Sequence, residues 1–239
     1  SVERVYSLLR FIGMFQARLS NEEKQNLVLQ INDNANHIYF DQEARLGGNH
    51  HLRNLLCLSL LMDLFEGNKT NASFKNRLYR RTIQELTSQF LEDGMHFEIS
   101  PGYHRLILMD ILNYLELTKD KESVVSKFLK LHLAKYLEAL TFFSLGDRLP
   151  QFNDNLPDSF PDNHEILNYS SKFLSQKVIR PLSLKDSGFY RLDTKNLSLF
   201  CKSGHQGAKN QPGHIHSDNL SFEIYDGDCW ICGNSPTLT

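Results

Sequence analysis

The sequence predicts an α+β chain in which stacked antiparallel helical hairpins, as in a toroid or solenoid, lead into a short all-β segment. Two observations carry that prediction. Over about 175 residues the apolar positions recur at helical spacing in consecutive runs joined by short loops. After Pro181 the texture changes to short alternating runs separated by Gly, Asp and Asn. No fixed-period repeat is present.

The elements follow in order. From Val2 to Phe15, the residues Val5, Leu8, Leu9, Ile12 and Phe15 keep helical spacing. Asn21-Glu-Glu opens a second helix, with Asn21 as its cap and acids in the first turn, running to about Phe40. Gly47-Gly48 breaks the pattern. The stretch from His51 to Phe65 is apolar nearly all round, so it is expected to be deeply buried. Further helices are expected at Phe74 to Leu91, from Ser100-Pro101-Gly102 to Leu117, at Lys121 to Phe143, and at Asn163 to Leu174. Strand-like runs follow around Phe189–Leu192, Leu197–Cys201, Leu220–Tyr225 and Cys229–Cys232. Four strands leave one face of a lone sheet uncovered, so a second sheet is expected beyond Thr239.

Composition narrows the function. The 239 residues are 41% hydrophobic and 23% charged, with a net charge of −2. No basic field points to nucleic acid, and no apolar run reaches transmembrane length. The start Ser-Val-Glu-Arg resembles neither a signal nor a transit peptide and lacks an initiator Met, so the expectation is a fragment cut at both ends. Cys57 reads as core. Cys229-Trp-Ile-Cys232 has C-x-x-C form on a strand, where residues three apart face opposite sides, and reads as packing rather than zinc or redox chemistry.

Polar residues gather at three helix junctions: Gly48-Asn49-His50-His51, His96 to His104, and Phe152-Asn-Asp-Asn155. A fourth concentration is Gly213-His214-Ile-His216, where the alternation places both imidazoles on one face of a strand. At these junctions capping explains Ser100 and is an alternative reading of Asn49, but it does not explain the histidines. There is no H-E-x-x-H, phosphate-binding glycine loop or G-x-S-x-G elbow.

Five segments in this order carry a resemblance: Gly48-Asn-His-His-Leu-Arg-Asn54, Asp93 to His104, Leu149-Pro-Gln-Phe-Asn-Asp154, Ser187-Gly-Phe-Tyr-Arg-Leu192, and Gly213 to Glu223. Together they resemble the heparinase II/III-like polysaccharide lyases, which include related alginate lyases. The resemblance implies an incomplete (α/α) toroid over residues 1–175, then the start of an antiparallel β-sandwich over residues 182–239. It implies β-elimination on an acidic, uronic-acid-containing polysaccharide, in the periplasm or outside the cell. By motif position, Asn49 and His50 resemble the pair that offsets the uronate carboxylate, Tyr103 the catalytic tyrosine, suited as acid or, with its pKa lowered by neighbouring cations, as base, and His214 a base or charge stabiliser. His104 and Arg105 would lie near the substrate and supply positive charge beside Tyr103, and Glu98 would orient the start of the Tyr103 helix. No cofactor is needed for this chemistry. His216 resembles a ligand of a structural zinc in the β-domain, but Asn234 stands where relatives carry an Asp, and a neutral amide is a poor zinc ligand. Two other readings use the same residues: a non-catalytic glycan-binding or surface-polysaccharide assembly protein, and a hydrolase using Glu98 and Asp154.

Overall fold

A computed structural model describes residues 2–43, 47–65, 72–145, 149–155, 162–174, 176–204, 207 and 218–233. Among them, seven α-helices precede one antiparallel sheet. The helices are α1 (Val2–Phe15), α2 (Asn21–Phe40), α3 (Gly48–Leu64), α4 (Ala72–Gln89), α5 (Pro101–Leu117), α6 (Val124–Phe142) and α7 (Asn163–Ser170), the last followed by a 3₁₀ turn. Helices α3 and α5 are buried nearly all round and pack on each other, while α2 and α4 bury a single stripe. This is the inner-and-outer arrangement of an incomplete (α/α) toroid. No described helix is long and apolar enough to cross a membrane.

Local chemistry shifts several boundaries. The cap of α2 is Ser20 rather than Asn21: Ser20 Oγ accepts from the Glu23 N–H, and Glu23 returns a bond to the Ser20 N–H. Similar boxes at Ser123 and Asp162 start α6 and α7. Helix α3 begins three residues before His51. Gly47 takes φ +66 and turns the chain into the helix instead of breaking it. Asn49 and His50 therefore stand on its first turn.

The sheet is a five-stranded meander of β1 (Ser183–Leu184), β2 (Phe189–Asp193), β3 (Ser198–Lys202), β4 (Phe222–Tyr225) and β5 (Trp230–Cys232). The two-residue β1 is too short to leave an alternating pattern, which is why four strands were expected. Cys229 is exposed at the β4–β5 turn, where its N–H donates to Asp226, so it does not pack as the C-x-x-C spacing had implied. Registers set the two faces. Tyr190, Cys201 and Phe222 line up on the outer face, and Tyr190 and Phe222 are exposed there. The inner face carries Phe189, Arg191, Phe200, Lys202 and Glu223, all buried.

That inner face makes a second core with the end of α6. Phe189 and Phe200 pack with Phe142, Phe143, Phe152, Met95 and Ile99. Its charged residues are buried because each satisfies backbone or amide groups of the helical part. Arg191 Nη1 donates to the Phe142 and Ser144 carbonyls at 2.7 and 3.0 Å, capping the C-terminal end of α6. Glu223 Oε1 accepts from the Gln151 N–H at 2.7 Å, and Asp218 accepts from the Asn153 N–H. Ser187, ahead of β2, donates its N–H and hydroxyl to Asp93 at 2.7 and 2.8 Å.

Candidate active site

The first turns of α3 and α5 open at one end of the helical layer, with the loop 149–155 beside them. Asn49 lies on α3. Its backbone N–H donates to Glu98 Oε1 at 2.9 Å and its Nδ2 to Glu98 Oε2 at 2.8 Å. Glu98 therefore anchors the start of α3 to the turn ahead of the Tyr103 helix. Both residues are buried, Asn49 to 1% exposure. Glu98 takes one of the two Nδ2 hydrogens, and no other group among the described residues takes the second.

Tyr103 lies on the first turn of α5. Ser100 caps that helix by accepting from the Tyr103 N–H at 3.3 Å, and its hydroxyl donates to the Asp154 carbonyl at 2.7 Å. The Tyr103 hydroxyl donates to Asp154 Oδ2 at 3.3 Å. Burial, followed by the nearby carboxylates of Asp154 and Glu98, pushes the phenol up to about 12. Glu98 bonds Asn49 and stands two residues ahead of the Ser100 cap of α5, which brings the first turns that carry Asn49 and Tyr103 together.

The loop beside Tyr103 is held by the sheet. Lys202 Nζ donates to Asn153 Oδ1 at 2.7 Å, and Asn153 Nδ2 donates to the Ile99 carbonyl at 2.8 Å. Asn153 and Ile99 both adopt φ +55, an uncommon conformation for Asn and a strained one for a β-branched residue. The bond from Asn153 Nδ2 to the Ile99 carbonyl ties the two residues together. Burial pulls the Lys202 amine down to about 8 against the opposing pull of Asp218. Lys202 was not singled out from the sequence, although alternation places it on the same strand face as Ser198 and Phe200.

Three residues of this junction are buried in the scaffold. His104 is fully buried: its Nδ1 accepts from the His96 N–H at 3.2 Å and its Nε2–H donates to the Tyr136 carbonyl at 2.9 Å. Those two bonds fix a neutral tautomer, and burial drops its pKa to about 3, so it supplies no positive charge beside Tyr103. Arg105 is buried with its Nε on Asn163 Oδ1 at 2.6 Å. His96, packed against Phe90 and Phe97, is scaffold as well. By contrast His50 is exposed, with Nδ1 3.2 Å from Glu43.

His214 lies outside the described residues, as do His216 and Asn234. Among the described residues no three His, Cys, Asp or Glu side chains gather to hold a metal ion. A cavity of about 730 Å³ between the end of α6 and the β2–β3 and β4–β5 turns contains none of the candidate residues.

Solved structures with this arrangement include heparinase III, which matches 98% of the chain at 17% identity with a TM-score of 0.73. A heparan sulfate lyase HepC mutant from Pedobacter heparinus matches all of it at 19% identity with a TM-score of 0.67. At these identities the likeness establishes the fold alone. The chain spans 42% of the first structure and 40% of the second. A search of curated proteins found no match. Residues 4–180 match the heparinase II/III N-terminus model and residues 179–233 the heparinase II/III-like C-terminal model. The two matches cover the helical layer and the sheet in turn, and the chain belongs to the heparinase II/III-like family.

Proposed function

We propose that this chain carries the helical wall of the active site of a polysaccharide lyase, which cleaves a uronic-acid-containing polysaccharide by β-elimination. The observation that carries the reading is the pair of bonds that ties Asn49, on the first turn of α3, to Glu98, just ahead of the first turn of α5 that carries Tyr103. The C5 proton beside a uronate carboxylate is poorly acidic until the carboxylate's charge is offset. The second amide hydrogen of Asn49 is a donor for that carboxylate that brings no competing charge. The exposed His50 reinforces it.

The environment of Tyr103 divides the proton transfers. A phenol held at about 12 stays protonated at neutral pH, which suits the acid that protonates the leaving glycosidic oxygen. Abstraction of the C5 proton then falls to His214. Asp154 holds the Tyr103 hydroxyl in place. Both oxygens of Glu98 accept from Asn49, a structural duty that argues against its serving as a hydrolase acid.

The test is incubation of the full-length protein with heparan sulfate, alginate and other acidic glycans. β-Elimination leaves an unsaturated uronate with new near-ultraviolet absorbance, whereas hydrolysis leaves saturated ends. Folded protein that yields no such absorbance on any of them refutes the proposal. The near-complete burial of Asn49 favours a second reading, a non-catalytic glycan-binding protein on the same scaffold. That reading predicts glycan binding without product, unaffected by Tyr103→Phe.

A further inference from the structure

Helix α4 concentrates positive charge in a chain whose net charge is −2. Lys75, Arg77, Arg80 and Arg81 fall within seven residues, and Glu85 is the only acid in the helix. Phe74, Arg77 and Arg81 share one face, at i, i+3 and i+7. That face meets the C-terminal end of α2 across a cavity of about 320 Å³, lined by Tyr39 and Gln42 on one side and by Phe74, Arg77 and Arg81 on the other, over Leu55. This volume lies at the lower end of small-ligand sites, roughly 300–1,000 Å³.

Neither guanidinium is neutralised by a carboxylate among the described residues. Arg81 donates to the neutral Gln42 Oε1 at 3.4 Å, and Arg77 lies over the Phe74 ring at 5.8 Å. Glu85, the acid one turn on, is occupied: it accepts from Gln89 at 3.0 Å and sits 3.9 Å from His51 Nε2. Two like charges one turn apart repel, and an anion between them would remove that repulsion. Tyr39 and Phe74 meet edge-on, with ring centroids 5.7 Å apart, giving the cavity an aromatic wall beside its charged rim.

The cavity adjoins the candidate site. The Gln42 carbonyl accepts from His51 Nδ1 at 2.9 Å, Glu43 contacts His50, and the Gln42 side chain contacts Arg81. Residues 42–43 therefore form a wall between the start of α3 and the cavity.

We propose that the cavity between α2 and α4 is a second binding site for an anionic sugar of the polysaccharide chain. Arg77 and Arg81 hold its sulfate or carboxylate, and Tyr39 and Phe74 pack against its ring. This assignment rests on the reading of an acidic polysaccharide as substrate. A chain engaged at His50 crosses residues 42–43 to reach it, so long chains use both sites and short ones only the first.

The test uses calorimetric binding to full-length Tyr103→Phe protein, chosen to suppress turnover, with and without Arg77→Ala/Arg81→Ala. Both arginines are exposed, and an unchanged thermal melt verifies the fold. Removing them is expected to weaken long heparan sulfate or alginate chains by roughly three- to thirtyfold and to leave a tetrasaccharide unaffected. A larger loss for heparan sulfate marks sulfate as the anion, and a larger loss for alginate marks carboxylate. Long chains of both glycans binding the triple variant as tightly as the Tyr103→Phe parent would overturn the proposal. Inorganic sulfate binding as tightly as the sugar chains would overturn the assignment to a sugar. Product formation by wild-type protein is measured separately. Its absence together with an arginine-dependent loss of binding would count against the lyase reading and leave this site standing.

Discussion

His104 is scaffold in this structure, and that claim has a measurable consequence. Its imidazole is wholly buried between a donor, the His96 N–H, and an acceptor, the Tyr136 carbonyl, and burial lowers its pKa from 6.5 to about 3. The folded state therefore resists the proton that the unfolded chain accepts. Stability from this residue is complete above pH 6.5 and is lost as pH falls from there toward 3. The full effect is about 5 kcal/mol, of which about 2 kcal/mol is felt at pH 5. Glutamine can offer an acceptor and a donor in the same place without titrating, so His104→Gln is expected to lose about 2 kcal/mol less than wild type between pH 7.5 and 5. Urea unfolding at the two pH values measures the difference. Equal losses in the two proteins, or an NMR titration of His104 in the folded protein near 6.5, would refute the reasoning.

Other consequences follow from the helix–sheet junction. The Lys202 amine is pulled down from 10.5 to about 8, so the unfolded chain binds more protons across that window. Stability should then rise with pH from 8 to 10.5, by at most about 3 kcal/mol, and Lys202→Met should flatten that rise in urea unfolding. Asn153→Ala leaves Lys202 without its amide partner and frees the Ile99 carbonyl, loosening the turn ahead of Tyr103. Steady-state kinetics should show kcat down by about 10- to 100-fold, with KM changed less. Gly188 holds φ +77, and a Cβ there would lie 2.6 Å from the Ser203 carbonyl oxygen. Gly188→Ala should destabilise by more than about 2 kcal/mol in thermal or urea unfolding.

Much of the fold was legible because the helices state their own chemistry. The spacing of Val5, Leu9 and Ile12 marked α1, and Ser100-Pro101 marked the start of α5. Where two adjacent residues could both cap, as with Ser20 and Asn21, composition could not choose; the reciprocal bond with Glu23 did. At the site, Asn49 and Tyr103 were legible only as positions in motifs. The bond from Asn49 to Glu98 joins residues 49 apart in sequence, beyond any local pattern. The histidines misled for a physical reason. An imidazole that accepts from one backbone group and donates to another is as useful inside a core as at an active site, and only burial separates His104 from the exposed His50. The inner face of the sheet was obscured in a related way. Arg191, Lys202 and Glu223 look like solvent-facing residues by type, yet each is buried against backbone or amide groups of the helical layer.

The central claim is that Tyr103 donates the proton to the departing glycosidic oxygen. Tyr103→Phe removes only the hydroxyl that contacts Asp154, leaving the ring and the Ser100 cap in place. On an acidic glycan that the full-length wild-type protein degrades, the rate of unsaturated-uronate formation should fall by about 10²- to 10⁴-fold, with binding retained. Turnover by Tyr103→Phe within a few-fold of wild type would contradict the account.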